Sequence, residues 1–138
     1  MVSRVIPVGV FDLVIFGGTG DLARRKILPG LFRRYCSGQM PPDARVIGAA
    51  RTEMSSENYR EFVAKAVREF GVVGQGIDTD LEEFLARIEY VAIDARGVTG
   101  WKKLIKLVRS DVVRAYYFSV APSLFGDLAQ RLNIHGLT

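Results

Sequence analysis

Cysteine is almost missing from this chain: Cys36 is the only one among 138 residues, so no disulfide can close within it. A lone thiol fits a reducing compartment, and a cytoplasmic location is the expectation. Long apolar runs are missing too. Segments such as Leu13–Phe16 fall far short of the roughly 20 residues that cross a bilayer, so no membrane span or membrane partner is expected. Met1–Val10 carries Arg4 and only a short apolar stretch, with no small-residue cleavage site, so export is not expected either. Neither sign of charge dominates: 19 Lys+Arg against 15 Asp+Glu leave +4. That excess suits a phosphorylated small molecule as well as a polyanion, so nucleic acid is not implied as a partner. No repeat, no low-complexity segment and no metal site are read from the sequence.

What is present is apolar mass. Residues of the hydrophobic types make up 49% of the chain, one domain's worth with enough material for a core. Short apolar runs alternate with helical spacing, the pattern of repeated βα units. The expected strands are Asp12–Phe16, Arg45–Ala50, Tyr90–Ile93 and Arg114–Val120. Between them, Leu28, Leu31, Phe32 and Tyr35 form one stripe. Tyr59, Phe62, Val63, Ala66 and Phe70 form a second, behind a Ser55 or Ser56 cap. Leu81, Phe84, Leu85 and Ile88 follow a Thr79 or Asp80 cap, and Trp101, Leu104, Ile105 and Val108 follow in turn. A last helix begins near Pro122 and runs through Leu124, Phe125, Leu128 and Leu132 before Asn133–Gly136 breaks it. Gly71–Gly76 reads as a loop, and Pro29 should kink or restart the first helix. The implied fold class is α/β, a doubly wound parallel sheet of Rossmann-like, dinucleotide-binding type that stops after four strands. Residues 12–138 form the domain and 1–11 an N-terminal extension.

Chemistry concentrates where the first strand meets the first helix. Gly17-Gly18-Thr19-Gly20-Asp21-Leu22-Ala23 contains Gly18-x-Gly20-x-x-Ala23, a match to G-x-G-x-x-G/A in its proper strand-turn-helix context. Glycines there let the backbone turn tightly and let a pyrophosphate approach the helix N-terminus. A triphosphate-binding loop fits less well, because no Gly-Lys-[Ser/Thr] follows and Lys26 sits too far into the helix. Small residues Gly48, Ala49 and Ala50 leave room for something to approach the second strand. NAD sites usually end that strand with Asp or Glu, which accepts from the ribose 2′-hydroxyl. Here stands Arg51, whose donors suit a 2′-phosphate, so NADP is favoured as cofactor over NAD, unless Arg51 is a plain surface arginine. Short-chain reductases need Tyr-x-x-x-Lys, and no tyrosine here has lysine four residues on.

The run Gly17–Lys26 resembles the N-terminal cofactor motif of the glucose-6-phosphate dehydrogenases, GxxGDLAxxK. The likeness extends through Ile27-Leu28-Pro29, Gly48-Ala49-Ala50-Arg51 and Tyr116–Ser123, the last similar to the family's YLALPPS strand end. The resemblance implies an NADP-linked enzyme oxidising glucose 6-phosphate at C1 to the lactone, at the entry to the pentose phosphate pathway of glucose metabolism. It implies that Gly17, Gly18, Thr19, Gly20, Asp21 and Leu22 hold the pyrophosphate, that Arg51 holds the 2′-phosphate and that Lys26 faces the substrate side. The loop at Asp94 would lie near the adenine, and the turn from Ser119 to Ala121 near the nicotinamide.

Two departures limit that inference. Ala121 replaces the first of the family's paired prolines, leaving the geometry of the Ala121-Pro122 bond open. The family's Glu-Lys-Pro-Phe-Gly and Arg-Ile-Asp-His-Tyr segments, the second carrying its catalytic His and Asp, do not occur, and His135 reads as a surface histidine. The expectation is therefore a chain that binds cofactor without turnover, since no general base is present. A freestanding NADP-binding redox sensor is the alternative. In the strand order 3-2-1-4 the last strand lies at an edge, so self-association through it is expected. Cys36 reads as a small hydrophobe and the Trp101 stripe as core.

Overall fold

The computed structural model describes residues 9–71, 74 and 76–138. Four parallel strands, β1 (Phe11–Phe16), β2 (Arg45–Ala50), β3 (Ile88–Ala92) and β4 (Val113–Phe118), form one sheet in the order β3-β2-β1-β4. The expected α/β doubly wound arrangement is what the chain adopts. Alternate residues of each strand point to opposite sides. On one side Ile15, Val46, Ile88 and Tyr90 meet helices α1 (Leu28–Cys36), α2 (Ser56–Phe70) and α3 (Ile77–Leu85). On the other side Val14, Phe16, Ile47, Ala49, Val91 and Ile93 meet α4 (Trp101–Leu107) and α5 (Phe125–Ile134). Trp101, Leu104 and Val108 are buried there, as their stripe implied, but Ile105 of the same stripe is 40% exposed.

Several local expectations are decided or corrected. Of the two outcomes expected at Pro29, a kink or a restart, the structure shows the restart. A five-residue π-helical turn, Ala23–Ile27, precedes it, with the Leu28 N–H donating to the Ala23 carbonyl, and the α-helix restarts with Pro29 in its first turn, where no donor is needed. Ser55 caps α2, its side chain accepting from the Asn58 N–H at 3.0 Å. Neither Thr79 nor Asp80 caps α3, which starts from Gly76 at φ +83° and puts Asp78 and Asp80 in its first turn. Ile88 opens β3 rather than closing the α3 stripe, because Ala86 ends that helix. β4 ends at Phe118, before Ser119 and Val120, and Phe125 of the last helix is 41% exposed. Phe11, assigned to the extension, already belongs to β1, whereas residues 1–8, and 72, 73 and 75 of the expected loop, lie outside the described residues. Cys36 is exposed, not a core residue.

One charged side chain among the described residues is buried, Asp12 at the start of β1. Arg109, in the connection from α4 to β4, satisfies it completely. Its backbone N–H reaches Oδ2 at 2.6 Å, while Nε and Nη2 reach Oδ1 at 3.0 and 2.6 Å. Nη2 also donates to the Asp43 carbonyl at 2.8 Å. This clamp ties the start of β1 to the α4–β4 connection at the N-terminal end of the sheet, opposite the glycine turn.

Candidate cofactor site

β1 connects to β2 across one face of the sheet and β3 connects to β4 across the other, so the winding reverses between β1 and β4. A crevice opens at the carboxyl ends of the strands at such a switch point. Here it is a cleft of about 260 Å³. Phe16, Gly17 and Thr19 line it from β1, Ala49–Thr52 from β2, Ile93 and Ala95 from β3, and Val120, Leu124 and Leu128 from the far wall. Its walls are largely apolar with few polar groups, the usual make-up of a small-molecule site.

The glycine turn is bound into the floor. Gly17 and Gly18 donate to the Ala49 carbonyl at 2.8 and 3.2 Å, and Gly20 donates to the Gly17 carbonyl at 3.0 Å. Gly17 has φ +81°, and a Cβ on it would lie 2.0 Å from the Ser119 carbonyl oxygen, so no other residue fits without moving β4's end. Three glycine N–H groups are thus spent on the fold. Arg24 is the first helical residue bonded backward, to the Gly20 carbonyl at 3.0 Å, which leaves the N–H groups of Asp21, Leu22 and Ala23 as the helix's unpaired first turn. Those donors and the helix dipole suit an anion. The Asp21 carboxylate stands at the same helix end and would repel one. Arg25 and Arg24, at 2.9 and 3.1 Å, offset its charge, and the hydrogen bond from Arg25 foremost holds its carboxyl below the usual range.

The remaining expected site residues divide into those at the cleft and those outside it. Thr19 and Arg51 line it. Asp94 shares a neighbouring cavity of about 220 Å³ with Arg51, Glu53 and Thr99, and its carboxylate accepts from the Arg96 N–H at 3.0 Å. Ser119 takes part through its backbone, donating to the Phe16 carbonyl at 2.8 Å. Ala121 is exposed and outside the lining, where Val120 stands instead, and the Ala121-Pro122 peptide is trans. Leu22 is 46% exposed, and Lys26 is exposed in the π-helical turn, outside either cavity. His135 is not a free surface residue; it is half-buried and stacks on Trp101 at 5.3 Å between ring centroids.

Two residues that sequence reasoning left in the core sit directly behind the cleft. Tyr59 is fully buried and donates to the Gly18 carbonyl at 2.8 Å. Its ring occupies the space above Gly48, where a Cβ would lie 2.3 to 2.5 Å from the ring and hydroxyl. The approach that the small residues of β2 invited is therefore partly taken by the protein itself. Tyr90, also fully buried, puts its hydroxyl 2.5 Å from the Thr52 carbonyl and 3.2 Å from that of Ala50. Burial raises both hydroxyls above the ordinary tyrosine value, so both stay protonated donors.

A doubly wound sheet with a glycine turn at its switch point and an open helix N-terminus defines a dinucleotide-binding domain. Comparison with known proteins gives the family. The model of the "Glucose-6-phosphate dehydrogenase, NAD binding domain" matches residues 14–138, and the chain belongs to that family. It is 42% identical over 139 residues to the glucose-6-phosphate 1-dehydrogenase of Rhizobium meliloti, covering 99% of this chain and 28% of the relative. With that of Gluconobacter oxydans it shares 44% identity over 134 residues, covering 92% of this chain and 27% of the relative. A solved glucose-6-phosphate dehydrogenase in complex with its substrate superposes with TM-score 0.82 at 28% identity, over 100% of this chain and 29% of that one. The Mycobacterium avium enzyme gives TM-score 0.83 at 25% identity, over 94% of this chain and 28% of that one. The chain thus spans little more than a quarter of the length of these relatives.

Proposed function

We propose that this chain binds NADP+ in the β1/β4 cleft as the cofactor domain, residues 12–138, of a cytoplasmic enzyme that oxidises glucose 6-phosphate. The observation that carries the choice of NADP is Arg51 on the cleft lining at the end of β2, where a carboxylate would read an unphosphorylated ribose. In this reading the turn Gly17–Leu22 takes the pyrophosphate and Arg51 takes the 2′-phosphate. Asp94, beside Arg51 in the adjoining cavity, faces the adenine side, and the Ser119–Ala121 turn faces the nicotinamide side. Lys26, exposed and unpaired by any carboxylate among the described residues, is kept for the sugar phosphate. Bound NADP+ would supply the hydride acceptor; these residues bind and orient it. None of them offers a general base, because His135, the chain's one histidine, is stacked on Trp101 away from the cleft lining. Cofactor binding without turnover is therefore the function proposed for these 138 residues.

Parallel calorimetric titrations with NADP+ and NAD+, repeated on Arg51→Ala, test this reading. Charge-assisted hydrogen bonds of about 1.5–3 kcal/mol each imply a loss of at least tenfold in NADP+ affinity in the variant, with NAD+ unaffected. Equal affinity of the unaltered chain for both cofactors would sink the role of Arg51, and binding of neither would sink the site.

The sheet supports a second expectation for the chain alone. Among the described residues β4 has no neighbour on its outer side, and it exposes 66% of Val113 and 45% of Tyr117. An unpaired, β-prone edge templates pairing with another strand, so this chain should self-associate through β4. Light scattering should show oligomers that Tyr117→Lys disperses; a monodisperse monomer at high concentration would refute it.

A further inference from the structure

We propose that Tyr59 and Tyr90 are positioning residues for the cofactor, each fixing the backbone of one half of the cleft: Tyr59 the pyrophosphate turn, and Tyr90 the segment that presents Arg51. This rests on the dinucleotide reading above. Neither tyrosine lines the cleft, so neither touches the cofactor. Their action goes through peptide planes. In a trans peptide the carbonyl of one residue and the N–H of the next lie in one plane and point opposite ways. Pinning the Gly18 carbonyl to the Tyr59 hydroxyl therefore aims the Thr19 N–H away from Tyr59, and Thr19 lines the cleft. Without the bond, a glycine turn would sample other orientations of this peptide, because glycine has the widest choice of backbone angles.

Tyr90 acts likewise on the strand end. Its single proton is shared between the carbonyls of Ala50 and Thr52, which bracket Arg51 in the chain. Arg51 itself is exposed, with no ion-pair partner among the described residues. Its backbone is held while its guanidinium stays available. The two rings touch, with centroids 4.9 Å apart, so the supports of the two half-sites form one buried unit behind the sheet end. Gly48 is the condition for the arrangement, since any side chain there would displace the Tyr59 ring.

The two supports act on different parts of the ligand, and this separates positioning from mere stability. Pyrophosphate is common to NADP+ and NAD+, whereas the 2′-phosphate belongs to NADP+ alone. Tyr59→Phe, which keeps the ring over Gly48 and removes only the hydroxyl, should weaken both cofactors by the same factor, about five- to tenfold for one lost hydrogen bond. Tyr90→Phe should weaken NADP+ by a similar factor and leave NAD+ nearly unchanged, lowering the preference ratio. Calorimetry with both cofactors on the 138-residue chain reads these factors, and urea unfolding of each variant keeps a loss of folded protein apart from a loss of affinity. Variants that bind both cofactors as the unaltered chain does would overturn the bracing while leaving the cofactor site intact. So would a common drop in both affinities in both variants that follows their stability. Failure of the unaltered, folded chain to bind either cofactor would overturn the site reading and the positioning roles with it.

Discussion

Gly48→Ala adds one methyl group to the middle of the sheet, and the structure fixes its cost. The new Cβ would lie 2.3 Å from Cζ of Tyr59, 2.4 Å from its hydroxyl oxygen and 2.5 Å from Cε2. Comfortable carbon contacts need about 3.5–4.0 Å, so something must retreat by more than about 1 Å. β2 cannot, being hydrogen-bonded to β1 on one side and β3 on the other. Tyr59 must move, although it is fully buried, stacks on Phe62 at 5.7 Å and holds Gly18 through its hydroxyl. Overpacking of about 1–3 kcal/mol plus about 1 kcal/mol for the broken hydrogen bond gives a destabilisation of about 2–4 kcal/mol. That is a large share of a stability of about 5–15 kcal/mol. Urea unfolding at constant m-value measures it. A Tyr59→Leu background removes the clashing ring atoms, so there the same methyl should cost less than about 0.5–1 kcal/mol, the remainder appearing as coupling energy. A Gly48→Ala cost under about 0.5 kcal/mol, or one unchanged by Tyr59→Leu, would refute the steric argument.

Three further perturbations follow from the same geometry. Arg109→Met removes the guanidinium from the buried Asp12 carboxylate, leaving it only the backbone N–H, and should cost about 3 kcal/mol in urea unfolding, whereas a surface pair would cost under about 1 kcal/mol. Gly17→Ala meets both a left-handed φ of +81° and the Ser119 carbonyl, so it should destabilise by at least about 2 kcal/mol and abolish cofactor binding in calorimetry. Burial raises the Tyr59 and Tyr90 hydroxyls above their ordinary value of 10.0, so the folded chain holds those protons more tightly than the unfolded one. Stability from this source is complete below pH 10 and is lost as pH rises from there. Ultraviolet titration should accordingly show both tyrosines ionising above the ordinary tyrosine range.

The sheet was legible because its strands are short apolar runs and its helices carry clean stripes, signals that depend on local periodicity alone. The handedness of crossovers pointed to a doubly wound sheet, and the order 3-2-1-4 is the one usual for that Rossmann-like class. What failed were ends. Gly76 and Gly100 start α3 and α4 from left-handed φ of 83° and 88° without a side-chain cap, a geometry that polar capping patterns do not announce. Pro29 carried a true signal of irregularity, but a π-helical turn and a sharp kink relieve the same missing donor, and the sequence does not say which. At the site, the glycine turn and Arg51 were visible because their chemistry lies in residue type and spacing. Tyr59 was visible only as one apolar position on the α2 stripe, since its partner Gly18 stands 41 residues away in sequence.

The same distance explains why the candidate site is more than its motif. Of the glycine turn's N–H groups, those of Gly17, Gly18 and Gly20 are consumed by Ala49 and by the turn itself, so they shape the site but do not bind through it. Binding capacity moves one step along the chain, to Thr19 and the first helical turn, and its direction depends on which way the Gly18 peptide faces. That choice is made by a tyrosine on α2, admitted by a glycine on β2. A motif of this kind therefore transmits its function through two residues outside it. Substituting Gly48 or Tyr59 should damage cofactor binding even though every residue of the Gly17–Ala23 run remains in place.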